Sequence, residues 1–355
     1  MSENFFEIKD STFNASINNK VIDFSIKIEK QGEIVCLLGP SGVGKTTILR
    51  SIAGLQKISK GEIYLKGKLL SSNKINIEPE KRKIALSFQD NSLFPHYTVE
   101  DNINFGVKSK SNNRSENFIN KNELIKILHL EGLHEKYPHQ ISAGEAQRVS
   151  LARSLMSNPD LLLIDEPFSN IDQSLKGELQ SNIKRLLKKF KITTIMVTHD
   201  SYEAFYMADK CGIILDQKLK QYNTPYNIYH YPNSVEIVNF LNRGVLVNAK
   251  VVDSETLENT ELGLIKGNLT KKFEKGSKVK LLLQPDDLRH DDKSDLKLQV
   301  VDRKFRGTEF IYLVKTDNND LIPISVDSHH GHYHEINDKF GIKKPIFIDH
   351  LVCFN

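Results

Sequence analysis

The feature that most constrains the fold is a glycine-rich segment at residues 39–46, which reads Gly-Pro-Ser-Gly-Val-Gly-Lys-Thr. It matches the pattern G-x-x-x-x-G-K-[ST] in full. A continuous apolar run at residues 34–38 precedes it, and apolar residues at helical spacing follow it. Strand, glycine-rich turn and helix in this order predict a phosphate-binding loop after a buried strand of an α/β domain.

This loop has a defined chemistry. Its glycines let successive backbone N–H groups point at phosphate oxygens, and the helix N-terminus adds partial positive charge. We expect Lys45 to neutralise phosphate oxygens and the Thr46 hydroxyl to ligate Mg²⁺. A chance glycine-rich turn would explain the pattern but not its flanking strand and helix. The predicted nucleotide contacts here are Gly39, Pro40, Ser41, Gly42, Val43, Gly44, Lys45, Thr46 and Thr47.

A second motif places two carboxylates after an apolar run, since residues 161–166 read Leu-Leu-Leu-Ile-Asp-Glu. At the end of a buried strand, Asp165 is expected to reach the Mg²⁺ shell. Glu166 is expected to polarise or deprotonate an attacking water. An acidic strand end alone is an ordinary turn, but its combination with the phosphate loop predicts a hydrolytic site.

The pattern of the chain changes near residue 240. Before that point strands alternate with helices, and residues of about 95–158 are mostly helical, which predicts a parallel α/β core with a helical subdomain. After it, short strand candidates are separated by Asn, Asp, Gly and Lys turns, which predicts a small all-β, OB-like barrel. We therefore predict two domains, residues 1–240 and 241–355, as the length of 355 also suggests.

The composition of the chain excludes several classes of function. The 49 Lys and Arg residues against 45 Asp and Glu give a net charge of +4, which makes no electrostatic case for a nucleic-acid binder. Cys36, Cys211 and Cys353 are far apart, so neither a disulfide framework nor a zinc motif is expected. No apolar run approaches the ~20 residues of a membrane span, and no signal peptide is recognisable. We expect a chain that resides in a reducing cytoplasm.

Five further elements follow one another as they do in ATP-binding cassette (ABC) ATPases, and residues 6–240 resemble that family. Gln89 resembles the Q-loop glutamine, residues 141–145 the LSGGQ signature, residues 169–172 the D-loop and His199 the switch histidine. Residues 148–153 continue the signature as the family does. Phe13 sits where the family often has an aromatic ring that stacks on adenine.

The resemblance implies a P-loop NTPase cassette that uses ATP and Mg²⁺ and works as a head-to-tail dimer. Each ATP would lie between the phosphate loop of one subunit and the signature segment of the other. The implied catalytic residues are Glu166, His199 and Gln89, the implied metal ligands are Thr46, Gln89 and Asp165, and the implied signature contacts to the partner's ATP are Ser142, Gly144 and Glu145.

The signature departs from the family pattern, because Ile141 replaces Leu, Ala143 replaces Gly and Glu145 replaces Gln. Ser142 followed three residues later by Glu145 predicts a capping box at a helix N-terminus. A negative charge near phosphate is unfavourable, so Glu145 is expected to point away or to pair with a base such as Arg148. These departures put the rate of turnover in question.

Three segments resemble parts of importer-type ABC ATPases. Residues 89–99 resemble the segment on which a permease coupling helix docks, with Leu93, Phe94 and His96 as expected contacts; internal packing is the alternative. Residues 284–288 and 305–309 resemble the accessory domain of the sugar, polyamine, sulfate and ferric-iron importer ATPases.

The expected function is therefore that of the ATP-hydrolysing subunit of a binding-protein-dependent importer. The subunit would lie on the cytoplasmic face of the inner membrane, bound to integral-membrane permease subunits and indirectly to an extracytoplasmic solute-binding protein. We favour ferric iron as the solute, from the short C-terminal barrel and from residues 89–98 and 229–233. An importer of polyamines (spermidine or putrescine) or of another small solute is the alternative. A non-transport ABC ATPase comes last, because the chain has one phosphate loop and no heptad stretch.

A histidine-rich segment stands apart from these motifs and contains His329, His330, His332 and His334. A solvated loop between strands is the interpretation that we favour. A metal-regulated site is the alternative, since imidazole suits Zn, Ni, Cu and ferrous iron, whereas ferric iron prefers oxygen ligands.

Overall fold

The computed structural model describes residues 4–14, 20–88, 90, 92–108, 119–329 and 333–355. The chain divides into two compact units, Met1–Ile228 and Tyr229–Asn355. The boundary expected near residue 240 falls inside a helix, Val235–Leu241, whose Val238 packs against Leu282 and Phe354 of the second unit. This apolar contact explains why the second unit begins earlier in the chain than the change in sequence pattern suggests.

The first unit is built on one large sheet with helices. Its strands are β1 (Phe6–Asn14), β2 (Lys20–Ile28), β3 (Ile34–Leu38), β4 (Ile58–Leu65), β5 (Lys68–Ser72), β6 (Ile84–Ser87), β7 (Leu161–Asp165), β8 (Thr193–Thr198), β9 (Lys210–Leu215) and β10 (Lys218–Asn223). Its helices are α1 (Lys45–Ala53), α2 (Val99–Lys108), α3 (Lys121–Ile127), α4 (Ala143–Met156), α5 (Gln173–Lys189) and α6 (Ser201–Met207), and α7 (Pro225–His230) crosses into the second unit.

The sheet has ten strands in the order β5-β4-β1-β2-β10-β9-β3-β8-β7-β6. Strands β9, β3, β8, β7 and β6 run parallel, and every residue of β3, β7 and β8 is buried. Parallel strands covered on both faces need apolar runs, and β3 and β7 contain them, while β8 combines a shorter apolar run with buried threonines. Because β3, β8 and β7 are neighbours, their carboxyl ends lie side by side, and the predicted site residues follow those ends.

Strand β1 changes face part-way along its length. Phe6 and Ile8 are buried, Lys9 and Asp10 are both exposed, and burial resumes at Ser11. The pairing of β1 with β2 shifts between Ile8 and Ser11, and Asp10 has a φ of 40°. This bulge adds a residue to the alternation, so the odd-numbered residues after it face the core.

A buried arginine closes the far end of α1. Arg82 Nη1 donates to the carbonyl oxygens of Ser51 (3.2 Å) and Ile52 (2.8 Å), and its Nη2 donates to Ser71 Oγ (2.9 Å) and Asn76 Oδ1 (2.8 Å). Burial lowers the pKa of the guanidinium to about 10. The cation satisfies carbonyl groups that a helix C-terminus leaves without intrahelical partners.

The second unit is all-β apart from the end of α7 and the short helix α8 (Val235–Leu241). Its strands are β11 (Val245–Val251), β12 (Thr256–Asn259), β13 (Gly263–Leu269), β14 (Lys278–Leu283), β15 (Lys297–Phe305), β16 (Glu309–Lys315), β17 (Leu321–Asp327), β18 (Lys339–Gly341), β19 (Ile346–Leu351) and β20 (Cys353–Phe354). They form a six-stranded sheet, β19-β13-β12-β11-β14-β20, and a four-stranded sheet, β17-β16-β15-β18. Residues of both sheets share one apolar core, so the predicted fold class, an α/β P-loop cassette followed by a small OB-like β-domain, is confirmed.

Among the helices that the structure describes, we find no segment with the length and hydropathy of a membrane span.

Candidate active site

The predicted phosphate loop joins the buried end of β3 to the start of α1. Gly42 has a φ of 79° and Gly44 a φ of 106°, a region that side chains disfavour, so glycine is required at these two turns. Gly44 is also the N-cap residue of α1. The sequence pattern thus places the loop at a helix N-terminus, where free N–H groups favour an anion.

Lys45 lies buried at the first position of α1. Its Nζ donates to the carbonyl oxygens of Gly39 (2.7 Å) and Pro40 (2.9 Å). Burial lowers the pKa of Lys45, while the nearby carboxylates Glu166 and Asp165 act in the opposite direction. The ammonium group is therefore held inside the loop and next to both predicted acidic residues.

Asp165 ends β7 and is almost fully buried. It is hydrogen-bonded to Thr46, which lies in the first turn of α1. Burial raises the pKa of Asp165, and the charge of Glu166 raises it further. A hydroxyl and a carboxylate in contact form the hard oxygen donor set that Mg²⁺ prefers, so these residues fit the predicted metal.

Glu166 adopts a left-handed backbone with a φ of 47°, which is strained for a residue with a side chain. Its N–H donates to Val197 O of β8 (3.0 Å), and its carbonyl oxygen accepts from Gln147 Nε2 of α4 (2.7 Å). Its Oε1 lies 3.1 Å from His199 Nδ1. The two residues predicted to handle the attacking water are thus brought into direct contact.

The loop after β8 fixes His199. The hydroxyl of Thr198 donates to Glu203 Oε2 (2.6 Å) and accepts from the N–H of Asp200 (3.0 Å). Asp200 caps α6, and Lys176 pairs with both Asp200 (3.2 Å) and Glu203 (2.7 Å). These bonds hold the chain on either side of His199, whose side chain is 56% exposed.

The signature segment forms the start of α4. Ser142 Oγ accepts from the N–H of Glu145 (3.2 Å), and Glu145 Oε2 accepts from the N–H of Ser142 (2.7 Å), so the predicted capping box is confirmed. This hydrogen bond is the main cause that lowers the pKa of Glu145, and the charge of Arg148 contributes less. The side chain of Glu145 therefore bends back onto its own helix start. This explains why the chain can have a carboxylate where the family pattern has glutamine.

Gly144 is required by its contact with the D-loop. A Cβ at this position would lie 2.6 Å from the carbonyl oxygen of Asn170. Ala143, the residue that departs from the family pattern, is exposed at the first position of α4. Alanine is therefore accommodated at 143 but would not be at 144.

One residue of the site was missed by sequence reasoning. Gln147 is buried in α4 and holds the carbonyl oxygen of Glu166. Its only sequence signal is its place two residues after the signature, which does not indicate this contact.

The assignment of Phe13 to adenine stacking is wrong. Phe13 is 0% exposed and packs edge-to-face against Phe24, with 5.6 Å between the ring centroids. The bulge in β1 turns Phe13 toward the core, so neither face of its ring is available to a base. Gln89 lies outside the described residues, and its predicted role stays a prediction.

The segment after Gln89 forms an aromatic surface on the helical subdomain, which we call the aromatic cluster: Phe94, His96, Tyr97 and Phe105. Phe94 lies 4.6 Å from Phe105 between ring centroids, and the guanidinium of Arg153 lies 5.3 Å from the Phe94 ring. Phe94 and Leu93 are half-buried, whereas His96 is exposed. Phe94 thus packs internally and also contributes to a partly exposed surface.

Comparison with known proteins places this geometry in a family. Residues 21–169 match the sequence profile described as ABC transporter. The chain is 37% identical over 281 residues to the spermidine/putrescine import ATP-binding protein PotA of Oleidesulfovibrio alaskensis, covering 76% of this chain and 71% of the relative. It is 32% identical over 302 residues to the Fe(3+) ions import ATP-binding protein FbpC of Fusobacterium nucleatum, covering 84% of this chain and 80% of the relative.

Solved structures agree with the sequence relatives. The dimeric post-hydrolysis structure of the ATP-binding cassette MJ0796, bound to ADP and Pi, is similar with a TM-score of 0.54 and 25% identity, covering 62% of this chain and 98% of that chain. The phosphate loop, the paired carboxylates and the histidine lie on a fold shared with such cassettes. The chain belongs to the ABC transporter family, and it is an importer-type ATP-binding subunit that hydrolyses ATP.

Proposed function

We propose that this chain powers the uptake of a small cationic solute by hydrolysing ATP in a head-to-tail pair of cassettes bound to a separate membrane permease. The observation that carries the proposal is the contact of Glu166 with His199 at 3.1 Å, beside the buried Lys45 and Asp165. These are a base, its positioning partner, a phosphate-neutralising cation and a metal ligand.

Each residue has a definite task. Lys45 and the N–H groups of the glycine-rich loop bind the phosphates, and Thr46 with Asp165 would hold Mg²⁺ together with Gln89. When bound, Mg²⁺ neutralises charge on the phosphate oxygens. Glu166 accepts the proton of the attacking water, and His199 orients that water and the γ-phosphate.

A second cassette completes the site. The relative MJ0796 is dimeric in its solved structure. In this chain the start of α4 presents the N–H groups of a helix N-terminus, and Ser142 and Gly144 lie there. Such a terminus suits the phosphate of an ATP held by the partner subunit. We propose that dimer closure is required for turnover and that ATP binding shifts the population toward the closed pair.

The aromatic cluster supports the permease contact. Phe105 is 42% exposed, and a patch of partly exposed aromatic rings near Arg153 is typical of a protein interface. We propose that a coupling helix of the permease docks there, through Leu93, Phe94 and His96. The proposal includes that the chain lies on the cytoplasmic face of the membrane and that a solute-binding protein acts on the other side. We also propose that the ATPase and accessory domains correspond to the two compact units.

The relatives are named for different transported solutes. PotA of Oleidesulfovibrio alaskensis is named for spermidine and putrescine, and FbpC of Fusobacterium nucleatum for ferric ions. All of these are cations, and the cassette itself does not select among them. Polyamine and ferric iron are therefore the two candidate solutes.

The ATPase proposal is tested by Glu166→Gln, with Glu178→Gln on the exposed face of α5 as the matched control. We expect Glu166→Gln to bind ATP with unchanged affinity, to accumulate as a dimer with ATP, and to lose about 10²–10⁴-fold in turnover because the water has no general base. Glu178→Gln should retain turnover. Normal turnover of Glu166→Gln would rule out this residue as the base.

The solute is identified by uptake assays in cells that lack this chain. Labelled spermidine and labelled iron are supplied separately, and the cells are complemented with the wild type or with Glu166→Gln. Wild-type-dependent uptake of one label names the solute. Restoration of neither label would overturn the proposal of a cationic solute while leaving the ATPase result intact.

A further inference from the structure

The second unit contains a compact cluster of two imidazoles and one carboxylate, which we call the His-Asp triad: His290, Asp292 and His334. His290 Nε2 lies 3.2 Å from Asp292 Oδ1, His334 Nε2 lies 3.3 Å from the same oxygen, and the two Nε2 atoms are 3.2 Å apart. The three atoms form a nearly equilateral triangle. A tetrahedral Zn²⁺ with bonds of about 2.0–2.1 Å holds its ligand atoms about 3.3–3.4 Å apart.

The hydrogen bond of His290 to the backbone supports a ligand role. Its Nδ1 lies 3.0 Å from the carbonyl oxygen of Gly341, which can only accept, so Nδ1 donates the proton of this bond. Its Nε2 then faces the triangle and offers a lone pair to a metal ion that lies above the plane of the three atoms. A ligand histidine oriented through its other nitrogen by a backbone carbonyl is usual at metal sites.

The fold holds these atoms together although the two histidines are 44 residues apart. Asp291 N donates to the carbonyl oxygen of Gly341 (3.0 Å), and a Cβ on Gly341 would collide with the carbonyl oxygen of Asp291. Gly341 therefore allows the close approach that brings His290 and Asp292 to β18. On the other side, Arg303 Nη1 donates to the carbonyl oxygen of His334 (2.8 Å).

The surroundings are mostly apolar. The side chains of His290 and His334 are only 9% and 11% exposed, and that of Asp292 is 35% exposed. The ring of Phe340 lies 4.4 Å from that of His290 and 5.1 Å from that of His334, between centroids. The two imidazoles are thus shielded from solvent while the carboxylate is partly exposed, and a shielded shell of this kind protects a bound ion.

We propose that the His-Asp triad binds a divalent first-row transition metal, with Zn²⁺ or Fe²⁺ as the best fit to two imidazoles and one carboxylate. The site lies in the all-β unit and uses none of the residues assigned to ATP or Mg²⁺. His334 belongs to the histidine-rich segment for which a solvated loop was the favoured interpretation, and its burial contradicts that interpretation for this residue. His329 is exposed, and His330 and His332 lie outside the described residues.

The test uses the full-length chain, purified without a histidine tag and freed of metal and nucleotide. Zn²⁺, and Fe²⁺ under anaerobic conditions, are titrated by calorimetry, and bound metal is counted by elemental analysis after dialysis. We expect one ion per chain and a rise in melting temperature with metal, because a ligand that binds only the folded state stabilises it. Asp292→Asn and His334→Ala should each weaken binding by about 100-fold or more, since even an outer-shell change costs about 10–100-fold.

Two controls make the outcomes decisive. The double variant His329→Ala/His332→Ala removes neighbouring histidines but no member of the triad, and we expect it to bind like the wild type. Asp292→Asn keeps the size of the side chain, so its melting temperature without metal should stay near that of the wild type. Absence of stoichiometric binding in the wild type, or loss of binding in the double variant with retention in both triad variants, would overturn the proposal.

Discussion

Two of the places where imidazole meets carboxylate, the His199–Glu166 pair and the His-Asp triad, differ in exposure and in origin. His199 and Glu166 meet where neighbouring strands of a parallel sheet end, and the histidine side chain is 56% exposed. In the His-Asp triad both histidine side chains are about one-tenth exposed. The exposed histidine is accessible to a large ligand such as the proposed ATP, whereas the buried triad suits the single ion proposed for it. Under these proposals similar side chains serve different ligands because the fold exposes one cluster and buries the other.

The largest effect expected is that of Lys45→Ala, with Lys57→Ala on the exposed chain after α1 as control. Loss of the buried ammonium removes the charge that neutralises phosphate, so ATP hydrolysis should be abolished. Zn²⁺ binding at the triad should be unchanged, because no triad residue is involved. Turnover assays and metal titration on the same preparation check both statements. Unchanged hydrolysis would contradict the phosphate-site assignment.

His199→Ala is expected to lower ATP turnover by about 10²–10³-fold, because Glu166 loses the partner that orients the water. The matched control is His129→Ala, which also removes a histidine from a glutamate, Glu178, at 3.4 Å, but away from the phosphate loop. Steady-state turnover at saturating ATP is the measurement. Equal losses in the two variants would show that the effect is structural.

Two glycine-to-alanine substitutions should each affect one site and leave the other unchanged, because each glycine permits a close backbone contact at only one of the two clusters. Gly144→Ala should push the D-loop carbonyl of Asn170 away and cost about 10–100-fold in ATP turnover, with metal binding retained. Gly341→Ala should weaken metal binding by a similar factor, with turnover retained. Gly177→Ala in α5 meets no neighbouring atom and serves as the control for both. If either glycine variant lost both properties, the two sites would not be independent.

Residues close together in sequence were the predictable part of the site. The phosphate loop, the pair Asp165 and Glu166, and the Ser142–Glu145 capping box each lie within a few residues, and local geometry alone dictates their chemistry. The strands β3, β7 and β8 were predictable because burial on both faces requires continuous apolar runs.

The other features of the fold and of the sites could not be predicted, because they depend on backbone irregularities and on contacts between residues far apart in the sequence. The bulge at Asp10 shifts the alternation of buried and exposed residues in β1 and buries Phe13. The sequence of β1 contains no signal that predicts this bulge. Arg82 lies in a run of charged residues that is typical of a surface, yet it is 2% exposed. His290 and Asp292 match no sequence motif, because the third member of the triad, His334, comes from a distant part of the chain.

The buried Arg82 has a consequence for the mechanics of the phosphate site. Helix α1 carries Lys45 and Thr46 at its start, and Arg82 ties its last turn to the turn at residues 70–77. The helix is therefore clamped at the end far from the nucleotide, and one wall of the site is stiff. In the proposed head-to-tail pair the facing wall of each site is the start of α4 of the other subunit, which is held by the exposed Ser142–Glu145 pair rather than by a buried cation. We expect adjustment to ATP to concentrate at that helix start, where the two subunits would meet.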